Sequence, residues 1–252
     1  MDKKIGVVSY INVIPLISYL GNYHLVRAVP SKLCQLFDAG EVDCAILPVY
    51  NVLTRSSIQI VDEISISCSG PSGSVLLFLN TDVVNVKQVG LDSSSLSSNY
   101  LLKIMLKRYY QLDCEFQTFT PDRLVQKTDQ FDAYLLIGDK AIEHQQTNKN
   151  FLDLGEIWYK WTKLPFVFAV WVSRTIDAQL KADLLKSKRS GLKNLSTIIE
   201  NVDYPDKEFL TKYYSNYLRF HLGQQEKDGI LLYQKMLYEE GLLKSINPLH
   251  YF

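Results

Sequence analysis

The sequence is poor in the residues that usually advertise chemistry. It has only 4 cysteines and 4 histidines in 252 residues. Cys34, Cys44, Cys68 and Cys114 form no C-x-x-C pair, and their apolar or strand-like settings read as free thiols in a reducing compartment. His24, His144, His221 and His250 share no metal-ligand spacing, so no metal site is expected and no cofactor motif stands out. Charge of either sign is not in excess: 27 Lys plus Arg balance 27 Asp plus Glu, with no basic block. That counts against nucleic acid as a partner. Long apolar runs are missing too. The longest, "PFVFAVWV" at 165–172, falls far short of a membrane span. Lys3 and Lys4 imitate a signal peptide, but Ser9, Tyr10, Asn12 and Pro15 break the apolar stretch and no A-x-A site follows. The expectation is a cytoplasmic protein with no membrane partner.

What is present is a hydrophobic fraction of 47%, ample for a packed core, arranged as alternating strands and helices. Strands are expected at 5–8, 23–30 and 42–49, with helices at 13–20 and from Ser31, read as an N-cap, to the stop at Gly40. Residues 64–80 read as two extended pieces joined by "SGPSGS". A second series follows, with strands at 88–92, 114–119 and 132–138, helices after 94 and at 122–128, and a long apolar strand at 164–172. The remainder reads as helical, including "DKEFLTKYYSNYLRFHL" and "KDGILLYQKMLYEEGLL". This pattern implies an α/β fold of two βαβ lobes around a central cleft. The lobes are expected at 1–79 plus 170–252 and at 80–169.

Ligands of open parallel sheets bind beyond the carboxyl ends of strands, where loops enter helices. That rule selects Asn12 in "SYINVIPL", Pro48 to Asn51, "SGPSGS" at 69–74, "SSLSSN" at 94–99, and Gly138 with Asp139. These junctions are rich in Ser, Asn and Gly, an uncharged lining able to hold a small anion. Each also has a structural reading. Asn12 can cap its helix, with Pro15 tolerated in the first turn, and Asp139 can cap "KAIEHQ". Gly70 and Gly73 can serve a tight turn, and Trp158 with Trp161 can be either a cleft lid or core packing.

With these residues in view, the chain resembles the chorismate dehydratase family of the futalosine route to menaquinone. "SYINVIPL" is similar to that family's opening S-Y-L-N-x-x-P-L signature, and "SGPSGSVLLF" to its G-P-x-x-S-V-L-L-F block. "LFDAGEVDCAILPV", "SSLSSNYLL", "AYLLIGDKAI", "LDLGEIWYKWTKLPFVFAVWV" and "LRFHLGQQEKDGILLYQKM" match further family blocks in order. The sister dihydroxynaphthoate synthases open on an S-P-C-P-N-D-type signature absent here, and a non-catalytic small-anion binder of the same fold is the other alternative.

The resemblance implies a type II periplasmic-binding-protein-like fold and a cofactor-free enzyme whose partner is a small anion, chorismate. It implies catalytic roles for Asn12 and Ser74, with substrate contacts from Ser9, Pro48, Val49, Gly70, Ser97, Ser98, Asn99 and Gly138. The Ser98 and Asn99 amides would hold a carboxylate. The chain departs from the family pattern at Tyr50, Asn51, Ser72, Gly73, Leu96 and Lys163, the last where W-T-G-L-P usually has glycine.

Overall fold

A computed structural model describes residues 3–21 and 23–252. The strands, in chain order, are β1 (Lys4–Val8), β2 (His24–Ala28), β3 (Cys44–Pro48), β4 (Gln59–Cys68), β5 (Val75–Leu79), β6 (Gln88–Asp92), β7 (Glu115–Phe119), β8 (Ala133–Ile137), β9 (Phe151–Asp153), β10 (Phe166–Ser173) and β11 (His250–Tyr251). The α-helices are α1 (Ile14–Ile17), α2 (Pro30–Asp38), α3 (Val49–Leu53), α4 (Leu96–Ile104), α5 (Pro121–Val125), α6 (Gly138–Thr147), α7 (Leu154–Thr162), α8 (Ala178–Lys193), α9 (Leu195–Asn201), α10 (Lys207–Lys212) and α11 (Gln224–Glu239).

They build two sheets. One has the order β11-β4-β10-β3-β1-β2 and the other β7-β6-β8-β5-β9. In each, strands joined through a helix pair in parallel: β1 with β2 and β3, and β6 with β7 and β8. The strands that bring the chain across, β10 in one sheet and β5 in the other, run antiparallel to their neighbours. The central strands β3, β5 and β8 are buried throughout, which is why they read as unbroken apolar runs.

Sheet membership moves the expected lobe boundaries. Residues 75–79 belong to the second sheet, and β10 enters the first at Phe166. The chain therefore crosses at 69–74 and at 163–165, not at 79/80 and 169/170. The first crossing is bound to the start of α7 through Asp153. Its carboxylate caps α7 by accepting from the Gly155 and Glu156 amides at 2.9 and 3.2 Å. It also accepts from the Ser72 and Gly73 amides at 2.9 and 2.7 Å and from Ser72 Oγ at 3.1 Å. Gly155 permits this approach, since a Cβ there would lie 2.4 Å from Cys68 Sγ.

Several local expectations change. α2 starts at Pro30, whose fixed φ suits a first helical position, so Ser31 lies inside the helix and Val29 occupies the cap position. "DKEFLTKYYSNYLRFHL" is not one helix. α10 passes into a π turn at Tyr213–Tyr217, and Leu218 turns extended so that Arg219 bridges to Ser67 on β4. Trp158 is fully buried, donates from Nε1 to the Pro165 carbonyl at 3.2 Å, and packs edge-on to Phe166 and Tyr233. It belongs to the core and not to a lid. Lys163 closes α7 in the left-handed conformation at φ 61°, the geometry that glycine serves at low cost. The cysteines are free, with Cys34, Cys44 and Cys68 buried and Cys114 half-buried.

Candidate functional site

The carboxyl ends of β1, β3 and β8 and the start of α4 converge on one hollow of about 560 Å³, its open mouth included. Its polar lining comes from Tyr10, Asn12, Ser74, Ser95, Ser98 and Gly138, and its apolar wall includes Val8, Pro48, Ile66, Val75, Phe168 and Leu218. Among the described residues, no charged side chain lines it.

Asn12 lies in a short 3₁₀ turn, Ile11–Val13, between β1 and α1. It caps neither element: Tyr10 and Val13 hold the cap positions, and neither shows a side-chain cap. Instead, Asn12 Oδ1 is buried without a hydrogen-bond partner. Pro15 sits in the first turn of α1, whose amides need no helical partner. A buried amide oxygen left open costs about 1–3 kcal/mol, which a ligand group in the hollow would offset.

Ser74 reaches the same hollow from the first crossing. Its Oγ accepts from Tyr213 Oη at 2.8 Å, and its carbonyl accepts from the Gly138 amide at 2.8 Å. The departures beside it have structural reasons. Ser72 Oγ donates to Asp153 and accepts from the Val75 amide at 3.0 Å. Gly73 has φ +68°, and a Cβ there would lie 2.5 Å from the Tyr217 ring.

Gly138 also has positive φ, +59°, and a Cβ would press on the Tyr10 ring at 3.0 Å. Asp139, the next residue, does not cap its helix; that position is Ile137, without a side-chain bond. Asp139 Oδ1 accepts from the Ile11 amide at 3.2 Å, tying α6 to the Asn12 turn. Burial raises the pKa of Asp139, and burial raises that of Asp92 too. Both carboxyls are thereby pushed toward their neutral forms beside a site suited to an anion. Burial also lifts the Tyr10 phenol to about 12, so it stays protonated.

At α4, Ser95 is the cap, accepting from the Ser98 amide at 3.3 Å, and the two hydroxyls lie 3.1 Å apart. Ser98 lines the hollow, but its amide and that of Asn99, which donates to the Ser95 carbonyl, are already engaged. Among the described residues, the earlier amides of Leu96 and Ser97 have no helical partner, but neither residue lines the hollow. The Ser97 hydroxyl accepts from the Tyr50 amide at 3.0 Å, and Asn99 Nδ2 donates to the Asp92 carbonyl at 2.8 Å. Both side chains hold the loop and lie outside the lining. Ser9 is exposed, Val49 is buried at the start of α3, and Gly70 takes φ +126° in the crossing; none of the three lines the hollow. Of the residues singled out in the sequence, the hollow gathers Asn12, Pro48, Ser74, Ser98 and Gly138. It also takes in Ser95, from the 94–99 junction, and adds Tyr10 and Leu218.

A family model described as menaquinone biosynthesis matches residues 3–239. The chain belongs to this menaquinone biosynthesis family. It is 27% identical to a chorismate dehydratase of Thermus thermophilus, over 92% of this chain and 94% of the relative. It is 26% identical to one of Campylobacter jejuni, over 91% and 95%. In three dimensions it is similar to the periplasmic aliphatic sulphonate binding protein SsuA of Escherichia coli, with TM-score 0.68 and 11% identity over 98% of this chain and 89% of that one. The fold is thus that of the periplasmic binding proteins. Among the described residues, no helix is long and apolar enough to cross a membrane, and no group of His, Cys, Asp and Glu is placed to hold a metal ion.

Proposed function

We propose that this chain is a carbon–oxygen lyase of the cytoplasm that dehydrates chorismate to 3-[(1-carboxyvinyl)oxy]benzoate and water, on the futalosine route to menaquinone. One observation carries the reading: the unpartnered, buried Asn12 Oδ1 and the Ser74 hydroxyl share one hollow with no charged side chain in its lining. The two relatives that bear the name chorismate dehydratase support it along nearly their whole length.

The chemistry asks little of a basic side chain. The C3–H bond of chorismate is acidified through the conjugated ring carboxylate. Its proton passes to the substrate's own enolpyruvyl carboxylate, and the electron pair closes the C3–C4 double bond. The C4–O bond breaks as the hydroxyl departs with a proton as water, and aromatisation makes the step downhill. The protein supplies orientation and fixed dipoles, which in a site shielded from water stabilise developing charge without reorganising. Ser74 donates to the departing oxygen, and Asn12 orients the hydroxyl or the enolpyruvyl group. The Ser95 and Ser98 hydroxyls at the start of α4 face a carboxylate. No cofactor enters this scheme.

The test is incubation of purified protein with chorismate, followed by chromatography. The expected result is an aromatic product formed mole for mole with chorismate consumed. Unchanged chorismate, with thermal stabilisation of the protein alone, would reject the enzyme reading in favour of a binder.

A further inference from the structure

The π turn at Tyr213–Tyr217 has no role in the reaction just described, yet three of its side chains press on the site. Such turns insert one residue into a helix, shifting which side chains face a given neighbour. Tyr213 Oη bonds Ser74 Oγ at 2.8 Å, and Tyr214 Oη donates to the Ile11 carbonyl, the peptide that leads into Asn12, at 2.8 Å. The Tyr217 ring lies over Gly73, the residue before Ser74.

We propose that Tyr213 is a positioning residue: it donates to Ser74 Oγ and so turns the serine's own proton into the hollow, while Tyr214 steadies the Asn12 turn. The direction of the bond follows from burial. Tyr213 is fully buried, and its hydroxyl has no other partner among the described residues. Were Ser74 the donor, the phenol proton would be sealed in without an acceptor, at the cost of an unmade buried hydrogen bond. Ser74 lines the hollow, so its proton alone can find an acceptor there, in a ligand. Burial also holds the phenol in its protonated form. The same side chain thus fills the core and fixes the rotor of a group in the site.

The kinetic part of this inference rests on the chorismate reading, and the experiment separates the two. Tyr213→Phe keeps the ring and removes only the hydroxyl. Its kcat on chorismate should fall at least tenfold with KM changed less than threefold. In a Ser74→Ala background, the same substitution should change kcat less than twofold, because the tyrosine acts through the serine. Full kcat in Tyr213→Phe, or a loss that multiplies onto Ser74→Ala, overturns the proposal. A crystal structure of Tyr213→Phe gives a readout independent of substrate. Ser74 Oγ should leave its place or spread over two rotamers; a single unchanged rotamer overturns the proposal. Wild-type protein inert toward chorismate, with Ser74 displaced in that structure, would reject the reaction and keep the positioning role.

Discussion

Replacing Asp153 by asparagine should destabilise the protein by about 3 kcal/mol, because the first interlobe crossing and the start of α7 converge on that carboxylate. Four backbone amides and one hydroxyl point at it, and all five need an acceptor. Asparagine offers one oxygen. In one orientation its NH₂ faces the Gly155 and Glu156 amides, and in the other the Gly73 amide. Either way at least one buried donor meets a donor, at about 1–3 kcal/mol, and charge-assisted bonds worth about 1.5–3 kcal/mol each become neutral ones. For a chain of this length about 3 kcal/mol corresponds to a fall in Tm of roughly 6–12 °C, read by calorimetry at neutral pH. Burial raises the Asp153 pKa against the pull of the Ser72 and Gly73 amides. A Tm within about 2 °C of wild type would mean the group is already a neutral acid, refuting the reasoning.

Lys163→Gly should raise stability by about 0.5–1 kcal/mol, or roughly 1–4 °C in Tm, by relieving the left-handed cap of α7; an unchanged or lower Tm refutes this. Gly138→Ala should cost about 1–2 kcal/mol in a melting curve and displace Tyr10, since its φ is +59° and the new methyl meets the ring. Glu240 is held below the ordinary carboxylate range by hydrogen bonds from Lys107 and Arg108. Its stabilisation is complete above the unfolded pKa of about 4.3 and is lost as pH falls through the lower folded value. Glu240→Gln should therefore be less stable than wild type at pH 8 in urea denaturation, with the difference shrinking as pH falls through the acid limb; a difference that stays constant with pH refutes this.

The sequence carried the strand–helix alternation because β1, β3, β6 and β8 are buried and announce themselves as apolar runs ending in polar junctions. It carried Asn12, Ser74, Ser98 and Gly138 because those junctions are where sheets present ligands. It could not say that Asn12 leaves the cap to Tyr10 and Val13, since a cap and a ligand contact favour the same residue type. Ser97 and Ser98 were likewise equivalent until the helix fixed their faces: Ser98, three residues from Ser95, turns inward with it, and Ser97 turns to Tyr50. Phe168 and Leu218 reach the hollow from strand and extended segments far apart in sequence. The Tyr213 bond to Ser74 spans 139 residues, a distance over which periodicity carries no information.

The most direct measurement is product formation from chorismate by wild type, Asn12→Ala and Ser74→Ala side by side, with melting curves of all three. The account predicts aromatic product from wild type and turnover reduced at least about 100-fold in each variant, the loss expected for one transition-state hydrogen bond. Tm should be nearly unchanged in Asn12→Ala and lowered in Ser74→Ala by the roughly 1–3 kcal/mol of a Tyr213 hydroxyl left without its acceptor. Variants as active as wild type would contradict it.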